Sequence, residues 1–390
     1  MLVKRLIVGL MAGLAMMMPG QAVSGGQLSI YVIDVGQGDS TLIVGPTVAG
    51  RRLSMLIDAG DNRSGVNGAA IVSKVLSSVG LARLDYVVLS HYDADHMGGF
   101  VTLGTGKQSL LWDRDGSLSS PTCKGKPLFP RLGIYDIGLP VIKKSKWSKS
   151  RQEWVACVPQ LTGTGKAKHV QLDAPSKLGQ TVDLGGGYKA KFVTGRGFVL
   201  GSTEKVDRAN SPNEMSISVL VSGPKGFDFL VTGDLIGRRT NDKEDAKLEL
   251  ALGKVLSGRR IDVEVLRVGH HGAENASDPK FLKLIKPELA LISVGNANQQ
   301  KSGWDHPRCN SLRALSAGGV KHVIQTEPGL TKCDDGKPKP SKPLVARGSV
   351  LITVHDGNYT VSSYGRTSPI TTHPTTAFNL RCDQRSGCAD

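Results

Sequence analysis

His91-Tyr92-Asp93-Ala94-Asp95-His96-Met97-Gly98-Gly99 follows directly on the apolar run Leu84-Asp85-Tyr86-Val87-Val88-Leu89-Ser90. Such a run, ending in a burst of histidine and aspartate, reads as a buried strand that hands ligands to a loop. His91, Asp93, Asp95 and His96 put four donors within six residues. Imidazole together with carboxylate suits zinc, manganese or iron better than calcium or magnesium. Four donors this close are too many for one closed structural site, so the spacing points to two adjacent ions. Gly98 and Gly99 are expected to let the backbone turn tightly beneath them. The competing reading is a polar surface turn; at the end of a buried strand, unpartnered histidines and aspartates would be costly.

Outward from this loop the chain alternates strands and helices. Strands are expected over 28–33, 40–44 and 52–58, a helix over 67–79, and the strand 85–90 that feeds the loop. After a weaker stretch, strands over 216–221 and 227–234 form a hairpin ending in Asp234. A helix over 244–256, a strand over 261–268, a helix over 279–285 and a strand over 289–294 follow. Then come a helix near 311–317 and late strands over 320–325 and 349–354. The pattern is that of a layered α/β fold.

The length of 390 residues allows one large or two modest domains, and 39% apolar content supports a real core. Residues 1–22 read as a signal peptide. Lys4 and Arg5 precede an apolar run over 6–18 that is too short to span a bilayer comfortably. Pro19-Gly20 breaks it, and Gly20-Gln21-Ala22 offers small residues for cleavage. A retained N-terminal anchor is the competing reading. No later stretch is long and apolar enough to span a membrane, so the chain is expected to be exported, to the periplasm or the medium. Cys123, Cys157, Cys309, Cys333, Cys382 and Cys388 fit an oxidising compartment. Pairing of neighbours is the simplest arrangement: 123 with 157, 309 with 333, 382 with 388.

The formal charge is +15, or +13 once Lys4 and Arg5 are removed. That excess favours a polyanionic partner such as DNA, RNA, a phosphorylated glycan or an anionic membrane. Between 105 and 210 the periodicity weakens and Gly, Ser, Lys and Pro accumulate. Lys143, Lys144, Lys146, Lys149 and Arg151 place five positive charges within nine residues, with Trp147 among them and Trp154 just beyond. Lysine and arginine there suit phosphates, and a tryptophan suits a stacked base. The alternative is a solvated loop with a tryptophan tucked into the core.

Several blocks, in their order, resemble the metallo-β-lactamase superfamily, and within it the hydrolase domain of ComEC-type competence proteins. They are Asp34-Val35-Gly36-Gln37-Gly38-Asp39, Ile57-Asp58-Ala59-Gly60, the loop from His91 to Gly99, and Asn213-Glu214-Met215-Ser216. Thr232-Gly233-Asp234, Gly269-His270-His271-Gly272 and His306-Pro307 complete the set. The resemblance implies a four-layer αββα sandwich over 27–360, with a basic insertion at about 105–210 and a polar tail over 361–390. It implies two divalent metal ions, zinc or manganese. His91 and Asp93 would hold the first and Asp95 and His96 the second, with Asp234 bridging and Asp58 orienting a ligand from behind. Of His270 and His271, one would complete the second ion's shell and the other would meet the scissile phosphate. The expected arrangement gives the metal to His270 and the substrate to His271, with His306 open to either role. Asp95, His271 and His306 are the expected catalytic groups.

Two departures from the family stand out. The channel segments of ComEC proteins are missing, so the chain is not expected to transport DNA itself. Where many relatives carry another ligating histidine, it reads Asn213-Glu214-Met215-Ser216. The expected activity is an exported phosphodiesterase or nuclease acting on DNA. The same metal core would also serve hydrolysis of a small, lipid-linked or glycan-linked phosphoester or ester. A non-catalytic nucleic-acid-binding protein is the reading from another class.

Overall fold

Alternation along the strands decides what each side chain faces. In the strand Ser218–Ser222, Val219 and Val221 join one core cluster and Leu220 another; in Asp228–Val231, Phe229 and Val231 separate from Leu230 in the same way. Leu289 and Leu291 likewise part from Ala290 and Ile292. The first set packs against residues such as Ile43, Leu56 and Val87 of another sheet. The second packs against Leu252, Leu256, Phe281, Leu282 and Leu315 of helices. A strand with both faces apolar is what a sheet buried between a second sheet and a helical layer requires.

The computed structural model describes residues 26–62, 67–102, 108–118, 120–139, 146–163, 165, 167–206, 211–237, 247–300, 303–333, 335–355, 358–365 and 376–379. The first sheet runs in the order Thr376–Asn379, Asn358–Gly365, Ser349–His355, Leu28–Val32, Thr41–Val44, Ser54–Ile57, Tyr86–Val88, Gly133–Asp136 and Lys168–Gln171. It is antiparallel as far as Ser54–Ile57 and parallel beyond. The second sheet runs Phe198–Val199, Tyr188–Gly195, Ser218–Ser222, Asp228–Val231, Val265–Arg267, Leu289–Ile292, His322–Gln325 and Leu344–Val345, with Thr181–Gly185 also paired to Tyr188–Gly195. It too changes from antiparallel to parallel, at Asp228–Val231. Helices Gly68–Ser78 and Lys149–Gly163 add Val72, Val75, Leu76, Trp154 and Val158 to the core that holds the first sheet. Helices Lys247–Gly258, Pro279–Ile285 and Cys309–Ala317 cover the second. The architecture is a four-layer αββα sandwich. Asp58, His91, Asp234 and His270 all lie just beyond the carboxyl ends of parallel strands, where open α/β sheets present their sites.

Residues 105–210, expected as an insertion, supply strands to both sheets. Their periodicity is weak because the strands lie toward sheet edges and are half polar: Lys168–Gln171 has no fully buried residue. The expected polar tail begins inside the strand Asn358–Gly365, and Thr376–Asn379 adds an edge strand. Disulfides join Cys123 to Cys157 and Cys309 to Cys333. The expected signal segment, Lys143, Lys144, Cys382 and Cys388 lie outside the described residues. Among the described residues no helix is long and apolar enough to cross a membrane.

One buried acid fixes a loop beside the site. Glu249, 1% exposed, accepts hydrogen bonds from the backbone N–H groups of Ser277 (2.8 Å) and Asp278 (2.7 Å). Burial pushes its carboxyl up to about 8 from 4.5, although those two bonds pull the other way. The folded state therefore holds this proton where the unfolded chain has released it. The associated stability is complete below pH 4.5 and is lost as pH rises toward 8. The loss is on the order of 4 kcal/mol. Wild type should lose stability relative to Glu249→Gln as pH rises across that window in urea titrations; a difference independent of pH would show that Glu249 is ionised throughout.

Candidate metal centre

Asp58 leaves its strand with φ 58°, a left-handed conformation that aspartate tolerates better than most residues. Its carboxylate accepts from Ser90 N (2.7 Å) and Ser90 Oγ (2.5 Å) and lies 2.7 Å from His96 Nδ1. A carboxylate can only accept, so His96 carries its proton on Nδ1. Ser90 Oγ spends its proton on Asp58, so at 3.1 Å it accepts from His91 Nδ1. His271 Nδ1 faces the carbonyl of Ser293 at 3.1 Å and must donate to it. All three rings are thereby set in one tautomer, with the Nε2 lone pairs turned toward Asp234 and Asp95.

Around those lone pairs the distances are short. Asp234 Oδ2 lies 3.2 Å from His96 Nε2, 3.6 Å from His271 Nε2 and 3.9 Å from His91 Nε2. His271 Nε2 is 3.4 Å from Asp95 Oδ2, and His91 Nε2 is 3.7 Å from Asp93 Oδ2. His91 Nε2, His271 Nε2 and Asp234 Oδ1 are buried and make no hydrogen bond. Buried polar atoms are almost always satisfied, so this convergence of lone pairs and carboxylate oxygens fits divalent cations bound by nitrogen and oxygen. The electrostatics agree. Burial alone would raise the carboxyls of Asp234 and Asp95, yet neighbouring imidazoles hold both below the usual range. Burial would lower His96, yet the fields of Asp234 and Asp58 raise it well above its usual value. The cavity demands positive charge.

His270 sits apart from this convergence. Its Nε2 is 4.0 Å from Asp234 Oδ2 and 3.2 Å from the Asn213 side-chain amide, while Nδ1 is 2.9 Å from Asn275 Oδ1. His270 and His271 have φ of 47° and 52°, a double left-handed turn, and their ring centroids lie 6.3 Å apart on the same cavity. The positions differ from the arrangement that gave the metal to His270: His271 is the ring among the converging atoms. His306 borders the same cavity, its ring centroid 5.9 Å from that of His270 and 6.3 Å from that of His271. Burial, then the two neighbouring histidines, push its imidazole down to about 3.

The glycines after the loop act differently from expectation. Gly98 has φ −55°, which any residue adopts, but a Cβ there would lie 2.8 Å from Gly60 O, and one on Gly99 2.4 Å from Ala59 O. They are required by close packing against the turn after Asp58, not by tight turning.

Two buried charges carried no expected role. Asp39 brings a carboxylate oxygen within 4.8 Å of donor atoms of Asp234 and His271. Behind it Arg267, fully buried, is paired with Asp39 and donates to the carbonyls of Gly233 (3.0 Å) and Val268 (2.6 Å). The sequence signals were a second aspartate closing the 34–39 block and a lone cation inside the apolar run 263–268. Of the basic segment, Lys146 and Lys149 are exposed and Trp147 is half-buried. Arg151 is buried, its guanidinium 5.1 Å from the centroid of the Tyr92 ring. Trp154 is sealed in the core, donating to Asp136.

Residues 25–104 match the metallo-beta-lactamase superfamily. The chain is 28% identical over 319 residues to the Competence protein ComA of Neisseria gonorrhoeae, covering 82% of this chain and 33% of that protein. It is 25% identical over 311 residues to ComE operon protein 3 of Bacillus subtilis, covering 76% and 32%. It thus spans about a third of the length of these curated relatives. Zn(2+)-bound PqqB from Methylobacterium extorquens aligns over 78% of this chain and 98% of its own, with 13% identity and a TM-score of 0.37. From its sheets, its superfamily match and its relatives, this chain has the metallo-β-lactamase fold and resembles the corresponding part of the ComA and ComE operon competence proteins.

Proposed function

We propose that the chain is an exported, metal-dependent phosphodiesterase that acts on DNA. The observation that carries this is the set of three histidines whose Nδ1 protons are all committed, leaving Nε2 lone pairs in two overlapping clusters, His91 and His96 with Asp234 and His96 and His271 with Asp95, with Asp93 Oδ2 3.7 Å from His91 Nε2. His91 and Asp93 would hold one zinc or manganese ion and Asp95, His96 and His271 the other, with Asp234 shared. Bound there, such ions supply Lewis-acid charge to a phosphate and lower the pKa of water. The chain's own residues do the rest. Asp58 and Ser90 keep His91 and His96 in the ligating tautomer. The cavity, about 470 Å³, is lined by Asp93, Asp95, Asp234, His270, His271, Trp304, His306 and Arg308. His270 and His306 line it and would contact the phosphate. The positive charge and the competence relatives favour DNA.

Purified mature protein should be given a generic phosphodiester, single-stranded DNA and double-stranded DNA, with zinc and manganese supplied separately and Asp95→Asn alongside. DNA cleavage lost in the variant is the expected result. Hydrolysis of the small ester alone would move the assignment to a small phosphoester, and no hydrolysis by metal-loaded protein would remove it.

A further inference from the structure

Trp304 occupies an unusual position for a tryptophan. Trp112 and Trp154 are sealed in the core, whereas Trp304 is half-buried and lines the metal cavity with its ring centroid 6.0 Å from that of His306 and the planes at 37°. An indole left at the rim of a cavity forgoes part of the burial it could gain. The loop that carries it is heavily braced. Gln300 Nε2 donates to the carbonyls of Gly295 (3.0 Å) and His306 (2.8 Å), and its Oε1 accepts from His306 N (2.8 Å). Lys332 pairs with Asp305 at 3.0 Å, Thr331 Oγ1 donates to Pro307 O at 2.7 Å, and Cys309 is bonded to Cys333. These ties fix the ledge formed by Trp304 and His306 in the cavity that Asp93 and Asp95 also line.

We infer that Trp304 is the floor of a base-stacking subsite, on which an unpaired nucleobase next to the scissile phosphate lies while Arg308 faces the neighbouring phosphate. The inference rests on the phosphodiesterase reading and deepens it by naming the form of nucleic acid. A ring can stack on the indole only if its own face is uncovered, and in a duplex both faces of a base are covered by its neighbours. Single strands and frayed ends are the forms that fit. Arg308 is held for this: its guanidinium contacts Asp305 at 3.5 Å and the Gly303 carbonyl, so its position is set before substrate arrives.

The test compares phosphorothioate-linked oligothymidylate with an abasic phosphorothioate strand of equal length, bound to metal-loaded protein and followed by fluorescence anisotropy. The two probes carry equal charge and resist cleavage. Wild type should bind the base-bearing strand on the order of 10- to 100-fold more tightly. Trp304→Leu, which keeps apolar bulk but has no ring, should bring the ratio near one, and Trp304→Tyr should retain most of it; circular dichroism checks that each variant is folded. Equal binding of the two strands by wild type, or a Leu variant with the wild-type ratio, overturns the inference. Natural phosphodiester strands are assayed in parallel. A base preference without hydrolysis would remove the phosphodiesterase reading and leave the subsite, while hydrolysis without base preference would do the reverse.

Discussion

Asp234→Asn is expected to lose at least about a thousandfold in turnover and to retain little bound metal. Its carboxylate lies near every converging ring, at 3.2 Å from His96, 3.6 Å from His271 and 3.9 Å from His91. Its backbone N–H is pinned by Ser216 Oγ at 3.1 Å, so an asparagine would occupy the same place without the charge. The substitution removes an anion where three imidazoles and any bound cation need one. Metal content per chain, measured by elemental analysis after dialysis, reads the loss independently of activity. A variant with wild-type metal content and turnover would show that Asp234 is not shared between the ions.

The second large effect is on stability. Arg267 follows Val265 by two residues on the same strand, so it points into the space between the sheets, where it meets Asp39 from the turn between Leu28–Val32 and Thr41–Val44. Burial pushes its guanidinium down to about 9, which leaves it charged at neutral pH. Removing one partner of a buried pair strands the other charge. Arg267→Met is therefore expected to destabilise the metal-free protein by about 3–5 kcal/mol in urea unfolding. Arg267→Met combined with Asp39→Asn should be much closer to wild type, because no lone charge remains. Additive losses would show that the pair does not act as a unit.

Much of this was legible locally. The run 84–90 and the loop after it announced a strand that delivers histidine and aspartate to one place, because a buried strand and a cluster of histidine and aspartate each leave a short-range pattern. The helix Pro279–Ile285 was expected over the same residues, since Asp278 is its N-cap and Pro279 its first residue. The pairings 123–157 and 309–333 followed from proximity in the chain. The edge strands between 105 and 210 were not legible: half-polar, short strands lack a strict alternation until a neighbour covers one face. His270 and His271 could not be told apart, because adjacent residues share a sequence context and only the folded backbone sets the His271 ring among the converging atoms.

Sequence by itself determined the class of fold and the types of side chain that gather at the site, since periodicity and side-chain chemistry are properties of a few neighbouring residues. Tertiary structure alone decided that Asp39 meets Arg267 across two sheets, that Gly98 and Gly99 serve close packing, and that Trp304 borders the metal cavity. These contacts join residues far apart in the chain, and they exist only once strand register and sheet packing have fixed where each backbone lies.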